Sequence, residues 1–561
     1  MLQNFKPYLK VGIPSISIQK PNWEPMIQWT EQQEISLIAI QQALQLLLTT
    51  LTVGSAEGRQ MDETVGEQVG YGTLACAATG IDPSTFSAAI DQLAGVIIGY
   101  PVNWPDTYSF NVREAVLGAG LVPSPDLIFF IEEPIAALLS GLRQAGERGD
   151  IRIKGEQETN LVWKGKTLVL SMGATATELA AVDIPQDLQL LTYKNFTMRS
   201  FAYAGGGIDQ DIVCQLLAPH LAKSRSGEVS SLGQLEPQES PLPRPSWVQT
   251  SSVLHNGVGD LQLDFDLKGL TLPLPVEADP EGRSRLQQHL RSSGTGQYLL
   301  DMARHLKLVL QHQERLTMEW GSDRWTITRR QYESQILLPF VQRLNRELNT
   351  LLSQANFEAQ AIKQVVCTGG TASLAVLTRW LRQKLPNAVI IQDTYPLQPL
   401  GVSACSRIAY GLALLPFYSQ VLDLPRQQYG DYFLLLELLR TFPEQPSSLG
   451  GVMQRLERRG INTQACQTHI LALLEGHLPP GLVPTQRDRV LLTTQSQHNP
   501  DYQALLAEPL FYKEVFQAGH SLYRPNPVQS SRLQRYLGRI LASAQQKLEE
   551  PFAINFQELS R

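Results

Sequence analysis

Apolar residues recur along this chain with two different periods, and the switches between them mark the elements. GVIIGYPVNW (95–104) and DLIFFIEEP (126–134) are continuous apolar runs bounded by turn residues, which predicts buried strands. A helical pattern follows each: about 107–119 after the first, and IAALLSGL after the second, with Pro134 in a first turn that tolerates proline. TLVLSMGATATELAAVDI (167–184) predicts two apolar strands around a Gly-Ala-Thr bend. FAYAGGGIDQDIVCQLL (201–217) predicts a glycine turn entering a helix. VGDLQLDFDLKGLTLPLPV (258–276) alternates with period two and predicts a hairpin. Two long helices are predicted over about 284–313 and 328–354. Strand, glycine turn and helix return in IKQVVCTGGTASLAVLTRWLRQKL (362–385), and a last helix of this region covers 401–416.

Between these elements the pattern breaks down in places. Residues 1–30 are proline-rich and read as irregular, and Thr30 with Gln33 forms a capping-box pattern opening a helix through about Leu51. A polar loop (54–68), a small-residue helix ending near Gly80 and another helix through Leu93 follow. Residues 223–251, rich in Ser, Pro, Gln and Gly, predict a flexible insertion. From 417 onward YFLLLELLRTF, THILALLEGHL and RLQRYLGRILASAQQKL predict amphipathic helices, read as a helical region 417–561 of two small bundles. Strands alternating with helices up to that point define an α/β protein.

Composition narrows the function. The 561 residues give a soft prior of roughly three to four domains. Lys and Arg number 47 against 53 Asp and Glu, and this net charge of −6 argues against nucleic acid as the partner while leaving room for one nucleotide in a local pocket. Five cysteines without CxxC spacing point to a reducing compartment, read as the cytoplasm. Met1–Lys10 lacks the apolar stretch of a signal peptide, and the run 35–53 is interrupted by Gln41, Gln42 and Gln45, which predicts an amphipathic helix rather than a membrane span.

The candidate chemistry lies in three glycine bends. Gly173-Ala174-Thr175, Gly206-Gly207 and Gly369-Gly370-Thr371, the last continuing to Ser373, each stand where the chain turns at a strand end. Glycines there allow close approach of a ligand, and a helix start offers N–H groups to an anion. Each bend alone fits ordinary packing equally well. None matches the lysine-bearing P-loop or G-x-G-x-x-G, which disfavours those enzyme classes. Glu132 and Glu133 sit where a strand becomes a helix, a place for simple helix capping or for orienting a water in phosphoryl transfer. Lys307 lies on a long helix beside Arg304 and His305, the pattern of a solvated face unless a pocket lies beneath it. Histidines show no metal-ligand spacing, and no Ser/His/Asp arrangement stands out.

Taken in order, these pieces resemble the nucleotide-binding domain of the seventy-kilodalton heat-shock chaperones, DnaK-type members of the actin-like ATPase superfamily. IEEPIAALLSGL is similar to that family's I-N-E-P-T-A-A-A-x-A-Y-G-L, and GVIIGYPVNW to its strand ending in V-P-A-Y-F. LVLSMGATATELAAV stands in the place of D-L-G-G-G-T-F-D, AGGGIDQDIV of L-G-G-E-D-F-D, and ITRRQYESQILLPFVQRL of the I-T-R-x-x-F-E stretch. VVCTGGTASLAVLTRWLRQKL resembles the adenosine motif V-L-V-G-G-S-T-R-I-P with its helix, and RIAYGLAL the closing A-V-A-Y-G-A-A helix. The similarity runs from about 30 to 416. It implies a two-lobe, ribonuclease-H-like α/β core: an incomplete first lobe in 1–165, a second lobe in 166–400, a closing helix at 401–416 and the helical region 417–561. It also implies a cleft for ATP or ADP with magnesium, Glu133 orienting the attacking water, and nucleotide contacts from Gly173, Ala174, Thr175, Gly206, Gly207, Lys307, Gly369, Gly370, Thr371 and Ser373.

The departures point the other way. The family's first phosphate loop, D-L-G-T-T, and its lysine have no counterpart, so the resemblance implies an upstream start, a fragment or a lost loop. Ser171 replaces the metal-associated Asp, Ala176 the phosphate-contacting Thr, Glu178 a later Asp, and Ser373 the Arg that packs on adenine. Arg304 replaces a Glu, Ser403–Ser406 stand in for N-P-D-E, and the substrate-binding β-sandwich is absent. Backbone cradles survive side-chain loss better than catalysis does. Loss of a general base or positioning group costs about two to four orders of magnitude in rate. The expectation is a chaperone-like protein with nucleotide binding weak or lost, hydrolysis impaired, no metal-ligating side chains, and a protein partner or client at 417–561. A pseudo-ATPase scaffold and, given an upstream loop, a slow ATPase chaperone are the alternatives. A sugar kinase or polyphosphatase of the same fold meets the same missing acids.

Overall fold

A computed structural model of the chain describes residues 4–11, 26–53, 81–142, 163–221, 267, 270–277, 279–320, 323–392, 406–423, 429, 431–478, 488–515 and 521–541. The architecture is mixed α/β. Lys6–Lys10 forms a 3₁₀ turn. Strands β1 (Met26–Gln28) and β2 (Glu34–Ser36) pair antiparallel, with Ile27 opposite Ile35, so the region before residue 30 is not wholly irregular. Thr30 does not open a helix. Its hydroxyl accepts the Gln33 N–H at 2.9 Å, but the Trp29 N–H donates to the Gln33 carbonyl at 2.9 Å and closes a hairpin. The same short hydroxyl-to-amide bond serves turns and helix starts alike. Helix α1 (Leu37–Val53) begins later, with the Ser36 hydroxyl accepting the Ala39 N–H at 3.1 Å.

Helix α2 (Pro83–Asp91) starts on Asp82, whose carboxylate accepts from the backbone of Ser84 and Thr85. Strand β3 (Val96–Tyr100), helix α3 (Asp106–Gly118), strand β4 (Ile128–Glu132) and helix α4 (Glu133–Leu139) follow the predicted order. β3 and β4 are parallel, Ile98 beside Phe130, with α3 as the crossover that parallel strands require.

Five strands make the main sheet. β5 (Gly165–Met172), β6 (Thr177–Ile184) and β7 (Phe196–Phe201) run antiparallel in sequence. Helix α5 (Gly205–Ile212) continues as a π-helical turn through Leu217. Helices α6 (Pro280–Arg291) and α7 (Gly294–Val309), hairpin β8 (Arg315–Trp320) with β9 (Asp323–Thr328), and helix α8 (Leu338–Gln354) come next. Strand β10 (Gln364–Thr368), helix α9 (Ala375–Lys384), strand β11 (Val389–Gln392) and helix α10 (Arg407–Leu414) complete this part. The order across the sheet is β11-β10-β5-β6-β7, with β10 parallel to both β5 and β11.

Both faces of the sheet are buried. Leu168, Leu170 and Leu179 face Ile208, Leu286, Leu299, Leu344 and Leu377 of five helices. Val169, Ala180, Val182 and Val366 face Ile135 and Leu138 of α4 and Tyr418. Strands covered on two sides read as continuous apolar runs, which is why these segments were legible.

Several expectations change. The long helix 284–313 is broken in two, because the Ser293 hydroxyl caps a new start at the Gly296 N–H, 2.9 Å away. Gly296 packs there with room for no Cβ, which would fall 2.3 Å from the Leu290 carbonyl oxygen. Residues 270–276 form no strand, and the first half of that predicted hairpin lies outside the described residues. So do the loop 54–68, the helix before Gly80, the insertion 223–251 and residues 403–405.

The C-terminal region is not purely helical. Helices α11 (Asp431–Thr441), α12 (Leu449–Glu457), α13 (Thr463–Leu474), α14 (Pro500–Ala507) and α15 (Pro527–Leu541) surround one apolar cluster rather than two bundles. A three-stranded antiparallel sheet accompanies them, formed by β12 (Ser447–Ser448), β13 (Phe511–Val515) and β14 (Ser521–Pro525) in the order β12-β14-β13. These strands are too short or too exposed to leave an alternating signal. Phe110 of α3 joins this cluster, and Leu492 bridges to Ile27, so the C-terminal region is tied to the first part of the chain. Among the described residues no helix is long and apolar enough to cross a membrane.

Candidate functional site

The three glycine bends meet. The bend between β5 and β6 (173–176) and the start of α5 are joined by two backbone bonds: the Gly205 N–H donates to the Gly173 carbonyl at 3.1 Å, and the Gly206 N–H to the Ala174 carbonyl at 2.8 Å. From the bend after β10, the Thr371 hydroxyl donates to the same Gly173 carbonyl at 2.8 Å. Sheet topology places them together. β5 is the neighbour of both β6 and β10, so the ends of β5 and β10 and the start of α5 share one edge.

Part of the glycine content is explained by this mutual packing. A Cβ at 205 would fall 2.9 Å from the Thr371 hydroxyl oxygen, and one at 207 would fall 2.6 Å from the Tyr203 ring. The Gly205 and Gly206 amides are therefore used within the protein. Gly173 and Gly370, by contrast, have open space where a Cβ would stand, and Gly173, Ala174 and Gly370 are exposed. Thr175 is half-buried at the same bend. The Ser373 hydroxyl donates to the Gly370 carbonyl at 2.8 Å and closes its turn.

Lys307 on α7 is not on a free solvated face. Its ammonium lies 2.6 Å from Asp209 Oδ1 and 3.3 Å from the Gly205 carbonyl, so it reaches the second bend. Arg304 Nε lies 3.8 Å from the other Asp209 oxygen. Burial raises the Asp209 carboxyl, and the two cations offset this only in part.

The acidic end of the site is built from four elements. Glu132, at the end of β4, is buried and accepts from the Tyr193 hydroxyl at 2.6 Å and the Tyr100 hydroxyl at 3.0 Å. It is a satisfied structural carboxylate. Glu133, one residue on, carries the Lys6 ammonium at 2.8 Å. Its second neighbour is Glu178 of β6, buried and two residues past the bend, in register with Ser171. Burial, then the charge of Glu133, holds the Glu178 carboxyl well above the usual carboxylate range. Its Oε1 also accepts the Val102 N–H at 2.6 Å.

Lys6 was not singled out in the sequence, where it lies in a segment without periodicity. It packs 5.5 Å from the Trp104 ring centre and 6.0 Å from that of Tyr108. Burial pulls its ammonium down, but Glu133 and its other acidic neighbours more than offset this and leave it raised.

A magnesium ion does not fit this donor set. Mg²⁺ asks for one or two free carboxylates among six oxygens. Here Glu133 is paired with an ammonium, Glu178 takes a backbone N–H, and Ser171 and Met172 at the end of β5 offer a hydroxyl and a thioether rather than carboxylates. Among the described residues no cluster of three or more His, Cys, Asp or Glu gathers to hold a metal. No family model and no curated protein matches the chain.

Proposed function

We propose that this chain is a divergent relative of the seventy-kilodalton heat-shock chaperones: an actin-like, two-lobe core whose cleft takes an adenine nucleotide weakly and does not hydrolyse it. It then works as a pseudo-ATPase scaffold, with the region 417–561 engaging a protein partner. The observation that carries this reading is the convergence of the bends at 173, 205 and 369 on one edge of the sheet. The strand order β11-β10-β5-β6-β7, three antiparallel strands extended by two parallel ones and covered on both faces, supports the lobe assignment. A reducing, cytoplasmic setting belongs to the same proposal and is supported by the buried Cys214, Cys367 and Cys466, none of them in a disulfide.

Phosphate would be held by the open bends Gly173–Thr175 and Gly369–Thr371, with Lys307 alongside. Adenosine would lie toward Ser373, which offers a hydroxyl where stacking on adenine calls for a flat cation. The nucleotide supplies the phosphoanhydride. Among the described residues, the two carboxylates considered for activating water on it are engaged elsewhere: Glu133 is paired with Lys6, and Glu178 accepts the Val102 N–H.

Thermal-shift titration with ATP and ADP, with and without magnesium, tests the reading. A ligand that binds only the native state raises Tm in proportion to the logarithm of its concentration above Kd. The expected result is a small rise confined to millimolar nucleotide, with no phosphate release. Saturation at micromolar nucleotide with phosphate release makes the protein a working ATPase. No shift at any concentration removes the nucleotide from the reading.

A further inference from the structure

We propose that Lys6 is a tethered counter-cation: the N-terminal turn seats its ammonium against Glu133, in the place of a soluble divalent ion. The consequence drawn for nucleotide, metal-independent binding at the bends, rests on the function proposed above. The counter-cation itself does not.

A largely buried carboxylate is favoured in its charged form by a cation beside it. The structure supplies one from a distance of 127 residues along the chain. An exposed lysine held by one ion pair would mean little, since such pairs contribute almost nothing. The Lys6 side chain keeps 41% of its surface in solvent, but two aromatic rings as well as Glu133 flank its ammonium. Its ammonium lies near Trp104 and Tyr108, two rings packed edge-to-face at 4.8 Å, and the Lys10 ammonium also lies 4.8 Å from the Trp104 ring centre.

The turn that carries it is anchored on both halves of the molecule. The Asn111 amide on α3 donates to the Leu9 carbonyl at 2.8 Å, and Arg291 on α6 donates to the Tyr8 hydroxyl at 3.0 Å. Val11 is fully buried directly after it. Residues that merely covered a surface would not need all three anchors.

The surroundings suit an ammonium and not a metal ion. The Val102 N–H points its positive end at Glu178 and repels a divalent cation at that oxygen. A lysine needs one carboxylate and tolerates aromatic rings as neighbours. A hydrated divalent ion needs several oxygens in fixed geometry, which Met172 and the two rings cannot provide.

Two experiments on the full chain decide the matter without any nucleotide. The first is a double-mutant cycle on thermal stability with K6M and E133Q. K6M alone is expected to lower Tm by roughly 2–4 °C, and to lower it far less in the E133Q background. Equal losses in both backgrounds show that Lys6 acts through packing alone and overturn the proposal. K6R keeps a cation over the rings and is expected to recover most of the loss. A K6R protein no better than K6M also overturns it.

The second experiment measures Mn²⁺ binding, metal alone, by electron paramagnetic resonance. No Mn²⁺ site is expected in the unaltered protein, because Lys6 holds Glu133 and the Val102 N–H faces Glu178. A bound Mn²⁺ that E133Q removes overturns the replacement of metal by lysine.

Discussion

Gly369 lies against Met172 so closely that a Cβ at 369 would stand 2.3 Å from the Met172 carbonyl oxygen. Its φ of +94° lies in the left-handed region that side chains avoid. This single contact sets the spacing between the ends of β5 and β10, where the bends meet.

G369A is therefore expected to destabilise the protein by roughly 2–4 kcal/mol, combining backbone strain with an overpacked contact. G173A and G370A meet open space and are expected to cost less than about 1 kcal/mol. Urea unfolding of the three variants checks the contrast. If all three behave alike, the close approach at 369 is not what holds the bends together.

A second close contact governs the other half. A Cβ at Gly411 of α10 would fall 1.7 Å from the Ala136 carbonyl oxygen of α4, which is inside van der Waals contact by more than an ångström. Nothing flexible is available to yield, because both atoms are backbone. G411A is expected to push α10 from α4 and cost about 2 kcal/mol or more. Faster amide exchange in 133–139, with 165–184 unaffected, would locate the damage.

Much of this fold was legible because fully buried strands and their glycine turns write themselves into the sequence. VIIGY, IFFIE, LVLSM and QVVCT each became a strand. The bends at 173, 205 and 369 were visible as glycines, but their meeting was not, since it depends on β10 pairing with β5 across nearly two hundred residues. Thr30 misled because its hydroxyl makes the bond of a helix cap while the backbone closes a hairpin. Lys6 was invisible for a different reason. Its role comes from the distant Glu133, Trp104 and Tyr108, and no local pattern marks a residue that acts only through such contacts.

Asp211 carries a buried network that leaves no local pattern in the sequence. It accepts from Tyr203 Oη at 2.7 Å, Arg283 Nη1 at 3.0 Å and the Val276 N–H at 2.9 Å, with no exposed surface of its own side chain. Removing one partner strands the other charge. D211A is expected to cost about 3–5 kcal/mol, while replacing both Asp211 and Arg283 by apolar residues of similar size costs less than either single change. Chemical denaturation of the two single variants and the double variant measures this directly. A double variant as unstable as the sum of the singles would show that the pair itself, rather than the orphaned charge, stabilises the fold.

Glu114 on α3 makes stability depend on pH. It is buried, one carboxyl oxygen has no hydrogen-bond partner, and burial pushes its pKa from 4.5 to about 7, with Arg113 only partly opposing. Folding thus favours the protonated form. The stabilisation is complete below about pH 4.5 and is lost as pH rises through 7. A displacement of this size corresponds to about 3 kcal/mol between the two limits. E114Q keeps the size and removes the titration. Its unfolding free energy is expected to change much less than that of the unaltered protein between pH 5 and pH 8, and to exceed it at pH 8. Parallel pH profiles for the two proteins would mean that the carboxyl finds solvent or a cation in solution and stays ionised throughout.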